Sequence, residues 1–351
     1  MKIIVNARFL TQPVSGVQRY GIECSRQIKK IYPNTIFVAP KEIFNKSVAE
    51  ELGVQIIGQR GGHLWEQLDL VHYLKKEGNP PLLSLCNTAP AFYRNNFVTL
   101  HDLAFHHHPE WNSKWFSAWY NWLVPRIARN ARKVFTVSET VKRELMQAYG
   151  LKGPDIAVTY NGIGRHMRQQ LARVGQKEKM ILSVGTFNVR KNHQRLLQGF
   201  IESGLGATYQ LVFIGDKNKV FREGGLSEAA VRNNNIEIYQ HVSEDELADL
   251  YSRAGVVVSL SMYEGFGIPM LEGLHSRCKL LCSDIPVYRE LYGTVTRFCN
   301  PYDVADIAAA LRFVALQGSV PGEAARSALL EVYNYEHAAR VIIDNVMTAN
   351  K

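Results

Sequence analysis

The sequence predicts an α/β protein of two doubly wound domains, and three observations carry that prediction. Short apolar runs of strand length alternate with helical patterns along all 351 residues. The length suits two or three domains of ordinary size. Charge is partitioned: residues 1–165 hold 21 Lys+Arg against 12 Asp+Glu, whereas residues 166–351 hold 20 of each. The whole net charge of +9 therefore belongs to the first half, as do all five tryptophans.

The first strand is read from IIV at 3–5, followed by the turn-rich TQPVSG at 11–16 and a helical pattern to about residue 30. Further strands are expected at 36–39, 54–57, 82–85, 97–100, 134–137 and 156–160, with helical segments between several of them. The polar stretch 161–178 reads as a connection. Beyond it strands are expected at 180–184, 210–214, 236–239, 256–260, 279–282 and 295–299, with helices at 192–202, 244–254, 269–276 and 304–316. Ser243 and Glu246 have the spacing of a capping box. The expected division is 1–165, 166–333 and a last helix, 334–351, returning to the first domain. Ligands in such sheets bind outside the carboxyl ends of the strands, so a cleft between the domains is the expected site.

Composition narrows the function classes. With 46% hydrophobic and 21% charged residues the chain has the make-up of a globular protein with real cores. No run reaches the roughly 18–20 apolar residues of a spanning helix. Asn6 and Arg8 fall where a signal peptide needs its apolar stretch, so a cytoplasmic location is expected. The five cysteines form no CxxC pair and read as reduced thiols. A basic half attracts phosphate-rich partners, but zinc-finger spacing, an RNP-like aromatic run and a long basic helix are all missing, so nucleic acid is not expected. Trp111, Trp115, Trp119 and Trp122 recur at helical spacing, with Arg126, Arg129, Arg132 and Lys133 close behind. Such a stripe is either core with a solvated basic flank or a surface suited to an anionic lipid headgroup layer. Pro125 is expected to interrupt any long helix there.

Three loops could carry chemistry. EGFGIPMLE, residues 264–272, joins the buried run VVVSLS to a Pro-initiated helix. Gly265 and Gly267 allow close backbone approach, the helix start is an anion site, and Glu264 and Glu272 could accept from hydroxyl groups. A tight turn with a capping Glu is the structural alternative. VGTFNVRKN, 184–192, places Arg190 and Lys191 at another strand end, where they could neutralise a diphosphate or simply be a solvated turn. TLHDLAFHHH, 99–108, sets His101 beside Asp102, a hydrogen-bonding or acid/base pair. Adjacent histidines lack i,i+4 ligand geometry, so no metal is expected. GxGxxG, GxxxxGK[ST] and GxSxG do not occur, which counts against dinucleotide oxidoreductase, P-loop and α/β-hydrolase readings.

Taken together and in order, these pieces resemble the retaining GT-B glycosyltransferases of family 4, the "glycosyl transferases group 1" class. GVQRY looks like the family's glycine loop and HDLAFHHHPEW its His-Asp strand end. VFTVSETVKREL, YNGI, VGTFNVRKN, the EGFGIPMLE pair with seven residues between its glutamates, SDIPVYREL and FCNPYD complete the set. The resemblance implies that Glu272 binds the donor ribose and that Glu264 contacts the transferred sugar. Backbone groups at Gly265, Phe266, Gly267, Met270 and Leu271 are implied to meet sugar and diphosphate, and Arg190 and Lys191 to hold the diphosphate. Gly16 is implied to approach the phosphates and His101 to lie near the reacting centre. Thr186 stands where many members carry an Arg, which resembles a subgroup rich in mannosyl- and rhamnosyltransferases.

The resemblance implies a nucleotide-sugar donor as co-substrate, with GDP-mannose first and rhamnose, fucose or UDP-hexose donors as alternatives. It implies no cofactor or metal, in keeping with the lack of a DxD cluster. The implied acceptor is a lipid-linked saccharide of O-antigen, capsule or exopolysaccharide, met at the anionic inner face of the membrane. A nucleotide-sugar 2-epimerase shares the architecture, as does an inactive binding relative; the form of EGFGIPMLE argues against the first and the joint presence of Glu264, Glu272, Arg190 and Lys191 against the second.

Overall fold

A parallel strand covered on both faces needs apolar residues almost throughout, and IIVN at the start of the chain is buried at every position. In the computed structural model it forms β1 (Ile3–Asn6). β2 (Thr35–Ala39), β3 (Gln55–Ile56), β4 (Leu82–Ser84), β5 (Asn96–Thr99), β6 (Lys133–Thr136) and β7 (Ile156–Val158) follow. All pair in parallel, in the order β3-β2-β1-β4-β5-β6-β7. The structure describes residues 1–171, 175–215, 235–240 and 242–350. The chain divides into two compact units, one of Met1–Gly162 with Tyr333–Lys351 and the other of Ile163–Val332.

In the first unit α1 (Gly16–Ile31) starts at Ser15, which forms a reciprocal cap with Gln18. α2 (Lys114–Asn130) is capped by Ser113 and α3 (Glu139–Tyr149) by Ser138. Contrary to expectation, α2 runs straight through Pro125. A proline ring crowds the carbonyls of the preceding turn, and here the Trp122 carbonyl accepts from the Arg126 guanidinium at 2.6 Å. The tryptophan stripe is also split. Trp111 sits in a separate turn, stacked on His108 at 3.8 Å, while Trp119 packs partly into the core and Trp115 is 88% exposed. The helix α9 (Tyr335–Ala349) packs against α1, and Tyr335 meets Tyr20 edge to face. Gly162 lies under its start, where a Cβ would come within 2.7 Å of the Tyr335 nitrogen.

The second unit holds, among the described residues, β8 (Glu178–Val184), β9 (Gln210–Ile214), β10 (Ile236–Tyr239), β11 (Ala254–Ser259), β12 (Lys279–Ser283) and β13 (Arg297–Cys299). Their order is β10-β9-β8-β11-β12-β13, again parallel. The helices used below are α4 (His193–Ser203), α5 (Glu244–Arg253), α6 (Ile268–His275), α7 (Pro286–Tyr292) and α8 (Val304–Leu316). Ser243 and Glu246 close the capping box on α5, and Asp303 caps α8. α4 and α8 pack so tightly that a Cβ on Gly199 would stand 2.4 Å from Ile307. The stretch expected as a connection carries a helical turn, Arg165–Leu171, with Met167 buried; its residues 172–174 lie outside the described residues. All five cysteines are free thiols.

Each sheet has one place where the chain reverses its direction of winding. In the first unit it lies between β1 and β4, in the second between β8 and β11. At such a point the loops leaving the two carboxyl ends part to opposite faces and open a crevice.

Candidate active site

The two strand-end loops singled out in the second half leave β8 and β11, the pair that flanks the switch point. From β8 the chain passes Gly185 and enters the turn Val189–Lys191, which Asn188 caps by accepting from the Lys191 N–H at 3.1 Å. Asn188 also donates to the Thr186 hydroxyl at 3.2 Å. Asn192 then takes a left-handed conformation, φ +56°, so α4 starts one residue later than the periodicity suggests. Its side-chain amide donates to the Pro301 carbonyl at 2.7 Å, and Arg195 donates back to it at 3.0 Å. The basic loop is thereby pinned to the CNPYD segment. A bare solvated turn would have no such anchors.

Glu264 comes to this loop from β11. Lys191 Nζ donates to its Oε1 at 2.5 Å and Arg190 Nη1 to its Oε2 at 3.2 Å. Arg190 also donates to the Tyr263 carbonyl at 3.2 Å, and its own carbonyl accepts from the Met262 N–H at 2.9 Å. Burial alone would raise the Glu264 carboxyl, yet Arg190 and Lys191 outweigh it and hold it at about 2. Glu264 is therefore ionised at neutral pH. Two cations against one carboxylate leave a net positive charge at the crevice, the electrostatics an anionic ligand needs. Next in the loop, His193 is kept neutral, its pKa pushed down to about 3 by burial and by Lys191. Its ring packs on Phe187 at 4.4 Å and edge-on to Phe213 at 5.4 Å.

The glycine-rich turn has a similar logic. Gly267 lies at φ +86°, where a Cβ would stand 2.4 Å from Tyr288 Cε1. Tyr288 is fixed by a 2.7 Å hydrogen bond with Ser259, and Tyr292 donates to the Gly267 carbonyl at 3.1 Å. α6 begins directly after Gly267, with Pro269 in its first turn. Phe266, Met270 and Leu271 have buried side chains, and Met270 N–H donates to the Gly267 carbonyl at 3.0 Å. Glu272 is buried on α6, and the next residue, Gly273, lets that helix lie on β11 within 2.8 Å of where its Cβ would be.

Arg190, Lys191, Glu264 and the Gly265–Glu272 turn thus gather at one crevice of the second unit. Gly16 and His101 belong to the first unit. Gly16 opens α1, and His101 is buried, its Nε2 donating to the Leu85 carbonyl at 2.9 Å. Burial lowers the His101 pKa more than the Leu85 carbonyl and Asp102 raise it, so the ring is neutral at pH 7. The neighbouring histidines have separate partners: His106 meets Asn121, His107 faces Glu144 and His108 stacks on Trp111, while the His106 and His107 rings meet edge-on at 5.2 Å. Among the described residues no three His, Cys, Asp or Glu side chains gather as metal ligands. The sequence reading missed Asn188, Asn192, Tyr288 and Tyr292. The two asparagines had a signal, since Asn before and after a short basic run suits a cap and a left-handed turn. Of the tyrosines, some twenty residues away, Tyr288 lies within the quoted SDIPVYREL segment, but nothing there pointed to its contact with Gly267.

Comparison with known proteins bears on the same regions. A family model described as Glycosyl transferases group 1 matches residues 167–327, and one described as Glycosyltransferase Family 4 matches residues 59–165. The O-antigen chain mannosyltransferase RfbU of Salmonella typhimurium is 28% identical over 235 residues, 66% of this chain and 64% of that protein, slightly under two thirds of its length. O-antigen chain mannosyltransferase B of Escherichia coli is 25% identical over 342 residues, 88% of this chain and 89% of its own. Anabaena HepE, solved in complex with UDP-glucose, superimposes with a TM-score of 0.70 at 15% identity, over 99% of this chain and all of that one.

Proposed function

This chain belongs to the glycosyl transferases of group 1, with a family 4 first domain, and from that premise we propose that it is a hexosyltransferase of O-antigen assembly. The donor we propose is GDP-mannose, and the acceptor a lipid-linked growing saccharide. The observation that carries the reading is the Arg190–Glu264–Lys191 cluster at the switch point of the second unit.

The chemistry follows from charge. Breaking the bond between the sugar C1 and the diphosphate oxygen places negative charge on the leaving group. Arg190 and Lys191, on a loop held in position by Asn188, Asn192 and the Pro301 carbonyl, turn from Glu264 to meet that charge. Side-chain cations and the start of α6 supply the positive potential in this reading, so no metal takes part. The acceptor hydroxyl attacks from the face the diphosphate leaves, its proton passes to a departing phosphate oxygen, and the anomeric configuration is retained. Glu264 accepts from hydroxyls of the transferred sugar and Glu272 from the donor ribose.

We place the acceptor at the anionic inner face of the membrane. The basic first half, with Trp115 exposed and Arg126 lying 4.4 Å over the Trp122 ring, supports docking there. No helix among the described residues is long and apolar enough to cross a membrane.

A thermal-shift panel of GDP-, UDP- and dTDP-sugars tests the donor, because a ligand of the folded state raises the melting temperature. GDP-mannose is expected to give the largest rise and an α-linked product by NMR, with turnover undiminished by EDTA. A larger rise with a UDP- or dTDP-sugar, an inverted product or a loss with EDTA would each overturn the corresponding part.

A further inference from the structure

At the end remote from the crevice, α6 stops in a way its sequence does not favour. Arg277 N–H donates to the Leu274 carbonyl at 3.2 Å and Cys278 N–H to the Gly273 carbonyl at 3.0 Å, the crossed pair of a Schellman motif. The residue that such a motif holds in the left-handed region is usually glycine, and here it is Arg277, at φ +56°. A long side chain kept there against its backbone preference points to a task for that side chain.

Two more arginines come to the same place from other parts of the chain. Arg326, on the helix Glu323–Val332 that packs against α6, has a side chain only 12% exposed. It donates to the Glu323 carboxylate through Nη2 and, at 3.2 Å, through Nε. Arg277 Nη2 faces the same carboxylate at 3.6 Å, beyond hydrogen-bonding length. Arg168, in the helical turn Arg165–Leu171, is exposed and reaches no carboxylate among the described residues. His275, the last residue of α6, lies among the three. Its Nδ1 is buried without a hydrogen-bond partner, and burial, followed by Arg168, Arg326 and Arg277, pushes its pKa down to about 4.

One cation at a helix C-terminus is ordinary, because it meets the carbonyl end of the macrodipole. Three guanidinium groups around an imidazole that they keep neutral, with Glu323 the carboxylate between two of them, exceed that need. The balance is two positive charges, which a phosphate dianion cancels and a carboxylate would only halve. Arginine's forked donors also match phosphate oxygens in pairs. A group bound at the crevice does not reach this place, since α6 puts about 12 Å of helix between its two ends.

We propose that Arg168, Arg277 and Arg326 form a second anion site, separate from the crevice, that takes a phosphate or diphosphate group. The proposal does not depend on the transferase reading. Calorimetric titration with inorganic diphosphate tests it in a Lys191→Ala background, where Arg190 stays paired with Glu264 and the crevice has no net positive charge. Saturable binding should persist there, and its Kd should rise about tenfold or more on adding Arg277→Gly or Arg168→Gln. Arg277→Gly should melt no lower than its parent, because glycine suits the left-handed position, so binding lost in it is not folding lost. Arg168→Gln, at an exposed position, decides the matter where Arg277→Gly does melt lower. The same phosphate chemistry is offered by a free metabolite or by a lipid headgroup. Sedimentation with phosphatidic acid vesicles that falls in both variants along with diphosphate affinity assigns the site to a headgroup; sedimentation that stays level while diphosphate affinity falls assigns it to a free phosphate compound. No diphosphate binding by the Lys191→Ala protein, or equal affinity after both added substitutions, would overturn the site.

Discussion

Replacing Glu264 by Gln removes the carboxylate that both loop cations share while keeping its size. The expected loss of stability can be worked from the carboxyl's displacement. It is held at about 2 against an ordinary 4.5. At 1.36 kcal/mol per pKa unit this is about 3 kcal/mol of preferential interaction with the charged form. Arg190 keeps 22% of its side chain in solvent, which trims the figure to about 2–3 kcal/mol. For a unit of this size that is a fall in melting temperature of about 4–12 °C. The sign with pH is fixed. A carboxyl depressed in the folded state contributes fully above its unfolded pKa, and the contribution disappears as pH falls through about 2. The gap between wild type and Glu264→Gln should therefore be constant above about pH 4.5 and close towards pH 2. Differential scanning fluorimetry across that range checks both points. The same assay with GDP separates the electrostatic argument from mere packing. In the wild type a diphosphate must compete with Glu264 for Arg190 and Lys191, so the GDP-induced rise should be larger in Glu264→Gln. A variant as stable as wild type, or one with a smaller GDP rise, would refute the reasoning.

Other perturbations follow from the same geometry. Lys191→Ala should lower turnover by on the order of 10²-fold or more, since it removes a cation at the leaving diphosphate, and steady-state rates with saturating donor will show it. Gly267→Ala should destabilise by about 2–4 kcal/mol in urea unfolding, combining a left-handed φ with a clash against the anchored Tyr288 ring. Trp115→Ala should leave the melting temperature within about 1 °C, because the side chain is 88% exposed, yet weaken sedimentation with anionic vesicles at low salt. Binding that ignores both salt and the substitution would remove the docking surface.

Much of the architecture is local and was legible residue by residue. The described strands overlap the predicted apolar runs, the inner ones because a strand covered on both faces must be apolar along its length; the edge strand β3 is exposed at both residues. The Ser243–Glu246 box and the Pro-initiated start of α6 were readable for the same reason, since a cap is decided within four residues. Where local rules failed, a side chain from elsewhere had intervened. Pro125 does not break α2, one face of which is anchored in the core by Leu123, Val124, Ile127 and Ala128. The tryptophans do not form one stripe, because Trp111 finds His108 and leaves the helix register.

By itself, then, the sequence determined the alternation of strands and helices, the two strand-end loops with their charged residues and the placing of the positive charge in the first half. Only the tertiary structure decided which strand ends become neighbours, and with that which charges meet. Glu264 reaches Arg190 and Lys191 across more than seventy residues, and Glu66 reaches Arg8 across nearly sixty. No periodicity encodes such pairs. The first exists because the second sheet reverses its winding between β8 and β11 and brings the loops after those strands together, where a buried carboxylate must find its cations; Glu66 comes to Arg8 from the helical turn that precedes β4.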